Sequence, residues 1–185
     1  MKKLFRLFIL VIIIIAIVFV WKYKIEDFVM KQMYPIKYSE YVEMYSEEYN
    51  MDPLLVYSII KAESNFNPNA KSHSNAYGLM QVTKSTGKET ARKLGIEFKN
   101  AKVLYEPETN IRIGIAYFDY LLKRYDDNMN IAIIAYNAGF GNVDKWISEG
   151  IIKEDGEDLE NVPFKETNNY ARKIINNYEI YKKLY

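Results

Sequence analysis

Glu63 stands seven residues after Val56 and in line with Ile59 and Ile60, so a helix through them carries all four on one face. A carboxylate at the end of an apolar stripe points toward the core, where ionisation is disfavoured. Such a group is either a partnered structural acid or a proton donor held ready for use. Other chemistries are poorly supplied. The chain has no cysteine, which excludes disulfides, thiol catalysis and thiolate metal sites. His73 is the only histidine, in a polar stretch, so a two-histidine metal motif and a Ser-His-Asp triad are both excluded. Gly139-Phe140-Gly141 lacks the following Lys-Ser/Thr of a phosphate loop. Carboxylate chemistry, amide and hydroxyl donors and aromatic rings remain, with no metal and no cofactor expected. The 17 tyrosines fit sugar stacking or a plain compositional bias equally well.

The elements that must position Glu63 read as helices. Tyr38, Tyr41, Val42 and Tyr45 form a first amphipathic stripe. Asp52-Pro53 has the form of an N-cap with proline at the first helical position, opening the helix that ends in Glu63. A turn-rich loop from Asn65 runs to Gly78. Thr83 caps a helix that ends near Leu94, with Gly95 as its stop. Pro107-Glu108 starts a long helix with the stripe Ile111, Ile115, Phe118, Leu122 and Tyr125. Another covers roughly 130–137 and breaks at Gly139-Phe140-Gly141, and 153–161 is an acidic, solvated loop. Thr167 is expected to cap a last helix bearing Tyr170, Ile174, Tyr178 and Tyr181. The expectation is an all-α domain of six or seven helices.

Residues 7–21 are an unbroken apolar run, slightly short of the ~20 residues that cross a bilayer core. Trp21 and Tyr23 at its far end suit a membrane interface. Val18, Phe19, Val20 and Trp21 lack the small residues a cleavable signal needs, so an uncleaved transmembrane helix is expected. The expected organisation is a membrane anchor over 1–24, a juxtamembrane linker over 25–34 and a folded domain over 35–185 on the outer side of the membrane. Net charge is +1, but 1–24 hold five basic residues and no acid, leaving 20 basic against 24 acidic residues beyond them. That domain offers no basic stripe for nucleic acid.

Four motifs in order then resemble a known family. Glu63-Ser64-Asn65-Phe66-Asn67-Pro68-Asn69-Ala70-Lys71-Ser72, followed by Ala76-Tyr77-Gly78-Leu79-Met80-Gln81, is similar to the first signature of the soluble lytic transglycosylase (SLT) domain. Asn110-Ile111 with Gly114 resembles the second motif. Ala135-Tyr136-Asn137-Ala138-Gly139, with Val143 and Trp146, resembles the third. Glu166-Thr167 with Tyr170 resembles the closing element. Two positions depart from the family: Asn75 replaces a common glycine and Lys84 a common proline. Asparagine tolerates the left-handed conformation such a turn needs.

The resemblance implies a goose-type-lysozyme-like all-α fold and cleavage of peptidoglycan glycan strands between N-acetylmuramic acid and N-acetylglucosamine. It implies Glu63 as the single acid/base, assisted by the substrate's 2-acetamido group, with a 1,6-anhydromuramyl product. Ser72 corresponds to a contact with the acetamido group, and Gln81 and Asn137 to amides that orient substrate. Tyr136 corresponds to a ring lining the cleft and Glu166 to an anchor of its wall. Gly78, Leu79 and Met80 complete the expected substrate-binding set. For each of these a plain structural role (loop capping, backbone satisfaction or core packing) is the competing reading. A hydrolytic muramidase on the same fold and a non-catalytic wall-binding scaffold also stay open. The first needs a second carboxylate, and the stretch from Asn65 to Gln81 contains none.

Overall fold

Asp52 caps its helix as expected: its side chain accepts a hydrogen bond from the Leu54 amide, and Pro53 supplies the preset φ of the first turn. The structure, a computed structural model, describes residues 2–185, with side chains throughout except at 2–8, 11–13 and 16. It divides into two compact units, 1–35 with 184–185, and 36–183.

The first unit is built on α1 (Lys2–Met33), a continuous helix. The segment 25–34, expected as a linker, stays helical to Met33. The i,i+4 pairs Lys22–Glu26 and Lys31–Asp27 lie along this part and favour helix. Among the described residues no helix is long and apolar enough to cross a membrane. The expected span 7–21 includes positions 7, 8, 11–13 and 16, whose side chains lie outside the described residues.

The second unit is helical, with α2 (Ser39–Glu48), α3 (Pro53–Ser64), α4 (Lys84–Lys93), α5 (Pro107–Arg124), α6 (Met129–Ala138), α7 (Phe140–Ser148) and α8 (Lys165–Leu184). α5 is the central element, packed by α2, α4 and α6. Ile111, Ile113, Ile115, Phe118 and Leu121 are fully buried, and their spacing places them on more than one side of the helix. Leu122 and Tyr125, which the expected stripe included, are only half-buried. Five residues fully buried on this one helix contribute roughly 1.5–3 kcal/mol each, which makes α5 the main support of the unit.

Several local expectations hold. Thr83 caps α4 by accepting from the Thr86 amide, and Gly95 follows that helix at φ 68°. Asn75 adopts the left-handed conformation, at φ 57°. Others are corrected. The break at Gly139 (φ 81°) is followed at once by α7, because Val143 and Trp146 give that segment a buried face of its own. Residues 76–83 form a short hairpin, β1 (Ala76–Tyr77) against β2 (Val82–Thr83), pairing Ala76 with Thr83 and Tyr77 with Val82. Two-residue strands are too short to show alternation.

The acidic stretch 153–161 is more than a solvated loop. Asp158 is buried, accepts from the Lys153 amide and the Asn161 side chain, and so caps the segment internally. Asn128 donates to the Glu154 and Asp155 carbonyls. Thr167 is not the cap of α8, which starts at Lys165. It is buried inside the first turn, where its hydroxyl donates to Asn137.

Candidate active site

Glu63 occupies the last turn of α3, one residue before the helix ends at Ser64, and is held from both sides. On one side Lys173 of α8 donates to the Ala62 carbonyl at 2.7 Å. On the other, the Ser64 hydroxyl donates to the Leu79 carbonyl at 2.8 Å, tying α3 to the hairpin turn. The first contact satisfies a carbonyl in the last turn of the helix, where no amide of the helix follows to bond it. Together the two contacts fix the direction of the intervening carboxylate.

The residue as a whole is half-buried. Desolvation of its carboxyl is the dominant influence and pushes the pKa from 4.5 up to about 7. Two weaker effects oppose it. The Tyr170 hydroxyl donates to Glu63 Oε1 at 2.6 Å, and the Lys173 ammonium attracts the charge. The result is a carboxyl poised between its two forms near neutrality, which suits a group that must give a proton and then recover one. Burial holds the Tyr136 and Tyr170 hydroxyls well above their usual range, with the Glu63 charge adding to it. Both phenols therefore stay protonated and act as donors.

The floor under Glu63 is assembled around Asn110, which is completely buried. Its amide donates to the Tyr77 and Leu104 carbonyls, and its carbonyl accepts from the Met80 amide at 2.7 Å. Gly78 sits against this side chain at φ 74°. A Cβ there would lie 2.1 Å from the Leu104 carbonyl oxygen and 2.4 Å from the Asn110 amide nitrogen. Gly114 plays the matching part on α5, since a Cβ would meet the Met80 sulfur at 2.4 Å. The second motif thus has a physical reason: Asn110 ties the turn down and Gly114 makes room for Met80.

The structure brings Glu63, Leu79, Met80, Tyr136 and Gly78 into one cluster. Leu79 and Met80 are fully buried, so their side chains pack in the core. Their carbonyls do the positioning: Leu79 accepts from Ser64, and Met80 accepts from the Tyr136 hydroxyl at 2.8 Å. Gln81, at φ 47°, donates to the Ala70 and Gly78 carbonyls and closes the loop on itself. The Ser72 hydroxyl accepts from the Ala76 amide, a loop-capping contact. Asn137 is exposed and accepts from Thr167. Glu166 is exposed in the first turn of α8. His73 is exposed, and among the described residues no cluster of ligating side chains could hold a metal ion.

Three positioning residues carried no site role in the sequence reading: Tyr170, Lys173 and Asn110. Tyr170 could have been found, because it begins the α8 stripe and stands in the closing motif. Lys173 gave no signal, being one lysine among many on an exposed face.

The ordering of these parts has a counterpart among known proteins. The family model described as the transglycosylase SLT domain matches residues 40–158. The chain belongs to the transglycosylase SLT domain family. The soluble lytic murein transglycosylase of Salmonella typhimurium is 31% identical over 148 residues, covering 79% of this chain and 23% of that protein. The membrane-bound lytic murein transglycosylase C of Salmonella arizonae is 39% identical over 118 residues, 58% of this chain and 32% of that protein. Among solved structures, the lytic transglycosylase Slt of Pseudomonas aeruginosa, in an inactive glutamate-to-glutamine variant, superposes with a TM-score of 0.76 at 29% identity. The match covers 83% of this chain and 25% of that one. The 70-kDa soluble lytic transglycosylase in complex with bulgecin A gives 0.76 at 30% identity, with the same coverage. This SLT-family chain therefore matches about a quarter of the length of its soluble relatives.

Proposed function

We propose that the chain is a peptidoglycan lytic transglycosylase in which Glu63 alone performs both proton transfers. The observation that carries the reading is the desolvated Glu63 carboxyl, pushed to about 7, with a phenol donor on one oxygen. Among the described residues no second carboxylate perturbs it. Inverting and retaining glycosidases of the usual kind need two, so this arrangement favours a mechanism in which the substrate supplies the missing group. The inactive glutamate variant of the Pseudomonas aeruginosa enzyme supports an essential glutamate in such proteins.

In this mechanism protonated Glu63 gives its proton to the glycosidic oxygen between N-acetylmuramic acid and N-acetylglucosamine. The C1–O bond breaks, and the 2-acetamido oxygen stabilises the positive charge at C1. Glu63, now a carboxylate steadied by Tyr170, removes the proton from the muramyl 6-hydroxyl as that oxygen bonds to C1. The product is a 1,6-anhydro ring, Glu63 is protonated again, and no water is consumed. In this reading Ser72, Gln81, Asn137 and Glu166 would contact the sugar, as the family resemblance implies, and Tyr136 would line the cleft beside the acid, its hydroxyl held by the Met80 carbonyl.

Muropeptides released from purified peptidoglycan, weighed by mass spectrometry, test this directly. Anhydro ends, one water lighter than reducing ends, are the expected result; reducing ends alone would establish hydrolysis and remove the proposal.

The same reading assigns α1 as the tether that holds the domain at the membrane, facing the wall. The apolar run 7–21 and the exposed Trp21 and Tyr23 support it. The full-length chain should stay with the membrane pellet through an alkaline carbonate wash. Release into the supernatant would show that α1 does not anchor it.

A further inference from the structure

Side chains of α8 reach α3 at a series of points that step back along both helices. The Tyr170 hydroxyl donates to Glu63, the Lys173 ammonium to the Ala62 carbonyl, the Asn177 amide to the Ser58 carbonyl and the Tyr178 hydroxyl to Asp52. The helices therefore run antiparallel. Tyr170 and Lys173, three residues apart, meet the last turn of α3 from one face of α8. Three titratable side chains are turned to the Glu63 carboxyl: Tyr170 and Lys173 from α8, and Tyr136 from α6. Both phenols are neutral, so Lys173 is the one charge among them. On the hairpin side the neighbours are Leu79 and Met80, which do not titrate.

We propose that Lys173 is a positioning residue of the reaction, its ammonium pinned beside Glu63 so that it steadies the negative charge the carboxylate carries between its two proton transfers. The inference rests on the acid/base role proposed above for Glu63.

Three observations carry it. First, the ammonium has a fixed place. Lys173 is an exposed residue on a long stem, yet its Nζ lies 2.7 Å from the Ala62 carbonyl oxygen, one residue before the acid. A cation there also meets the negative end of α3. Second, no other acid claims it. The neighbouring Arg172 pairs with Glu160 and Lys182 with Glu179, whereas among the described residues no Asp or Glu lies within ion-pair distance of Lys173. The carboxyl that its charge acts on is Glu63. Third, Lys61 supplies a contrast from the same turn of α3. Its ammonium donates to the Asn65 side chain at 3.0 Å, and burial and the Lys173 charge both push its pKa down. The two ammonium groups are close enough to repel, but of the two only Lys173 acts on Glu63. Placement decides this, not positive charge in general.

Losing the ammonium makes Glu63 hold its proton more tightly. The acid then survives to higher pH but gives its proton up less readily. Carbon-13 NMR titration of the side-chain carboxyls tests this in the full-length chain, with Glu63 identified as the signal missing from Glu63→Gln. In Lys173→Met the Glu63 midpoint should rise. At a pH well above it the protonated share should be about threefold larger, the effect of one charge acting through mostly aqueous surroundings. Lys173→Arg should restore the native midpoint, and Lys61→Met should leave it in place. Lys173→Gln serves if Lys173→Met fails to fold. Added salt screens an exposed charge, so it should raise the midpoint of the native chain more than that of Lys173→Met. Lysis of sacculi should follow, with the alkaline limb of Lys173→Met moved up by the same factor and its plateau rate lowered. A purely structural tie would lower the rate and leave the midpoint alone. An unmoved midpoint in folded Lys173→Met, or an equal rise in Lys61→Met, overturns the assignment. The two readings fail separately. A fixed midpoint in a chain that Glu63→Gln inactivates removes Lys173 and keeps the acid. A moved midpoint in a chain that stays lytic with Glu63→Gln removes the acid, and the bearing of Lys173 on the reaction with it.

Discussion

Glu63→Gln should abolish lysis of peptidoglycan while leaving glycan binding in place. The loss expected for a residue that makes both proton transfers is at least about 10²–10⁴-fold, read as turbidity clearance of purified sacculi. Retained activity would remove Glu63 from the chemistry. Two pH experiments separate a chemical loss from a structural one. The native enzyme needs the protonated acid to start the reaction, so its rate should fall as pH rises through about 7. Stability has its own sign. The folded carboxyl binds its proton more tightly than the unfolded one, at about 7 against 4.5. Its contribution is therefore fully present below about pH 4.5 and is lost as pH rises through about 7. Above that, ionised Glu63 opposes folding by about 3 kcal/mol. Glutamine keeps an acceptor for Tyr170 and carries no charge. The Glu63→Gln chain should accordingly melt higher than the native chain above neutral pH, and the two should converge in acid. An inactive variant that is more stable than its parent cannot owe its inactivity to unfolding.

The sequence was most readable where local chemistry decides structure. Asp52-Pro53 and Thr83 announce helix starts because their side chains satisfy backbone amides within the next three residues. The Glu63 position followed from period alone, and the raised pKa follows from that position. What the pattern could not show was long-range pairing. Tyr170 reaches Glu63 across 107 residues of chain, and Tyr136 reaches Met80 across 56. Thr167 looked like a helix cap because its type suits one, but its hydroxyl is committed to Asn137. The expected sugar contacts show the same limit. Ser72 and Gln81 are each engaged by their own loop. Their first physical job is to hold the turn that places Gly78 to Met80 beneath the acid. α7 was hidden because a glycine break reads the same whether a loop or another helix follows.

Asn110→Ala should be the most destabilising single change in the domain outside the hydrophobic core. The side chain is fully buried and serves three backbone groups: the Met80 amide and the Tyr77 and Leu104 carbonyls. Truncation leaves all three without partners in a space closed to water, at about 1–3 kcal/mol for each. Partial relaxation makes a total of about 3–6 kcal/mol the reasonable figure, against a whole-domain stability of roughly 5–15 kcal/mol. Urea unfolding followed by circular dichroism measures it, and a loss smaller than about 1 kcal/mol would show that the turn does not depend on this residue. Asn110→Asp sharpens the test. An aspartate still accepts from the Met80 amide but turns a negative oxygen toward two carbonyls, so at neutral pH it should be at least as damaging as alanine. Protonation restores one donor, and the aspartate variant should regain stability as pH falls, which the alanine variant has no means to do. Because the Leu79 carbonyl held by Ser64 belongs to the same turn, both variants should also loosen the support of Glu63. Activity would then fall under conditions where most of the chain is still folded.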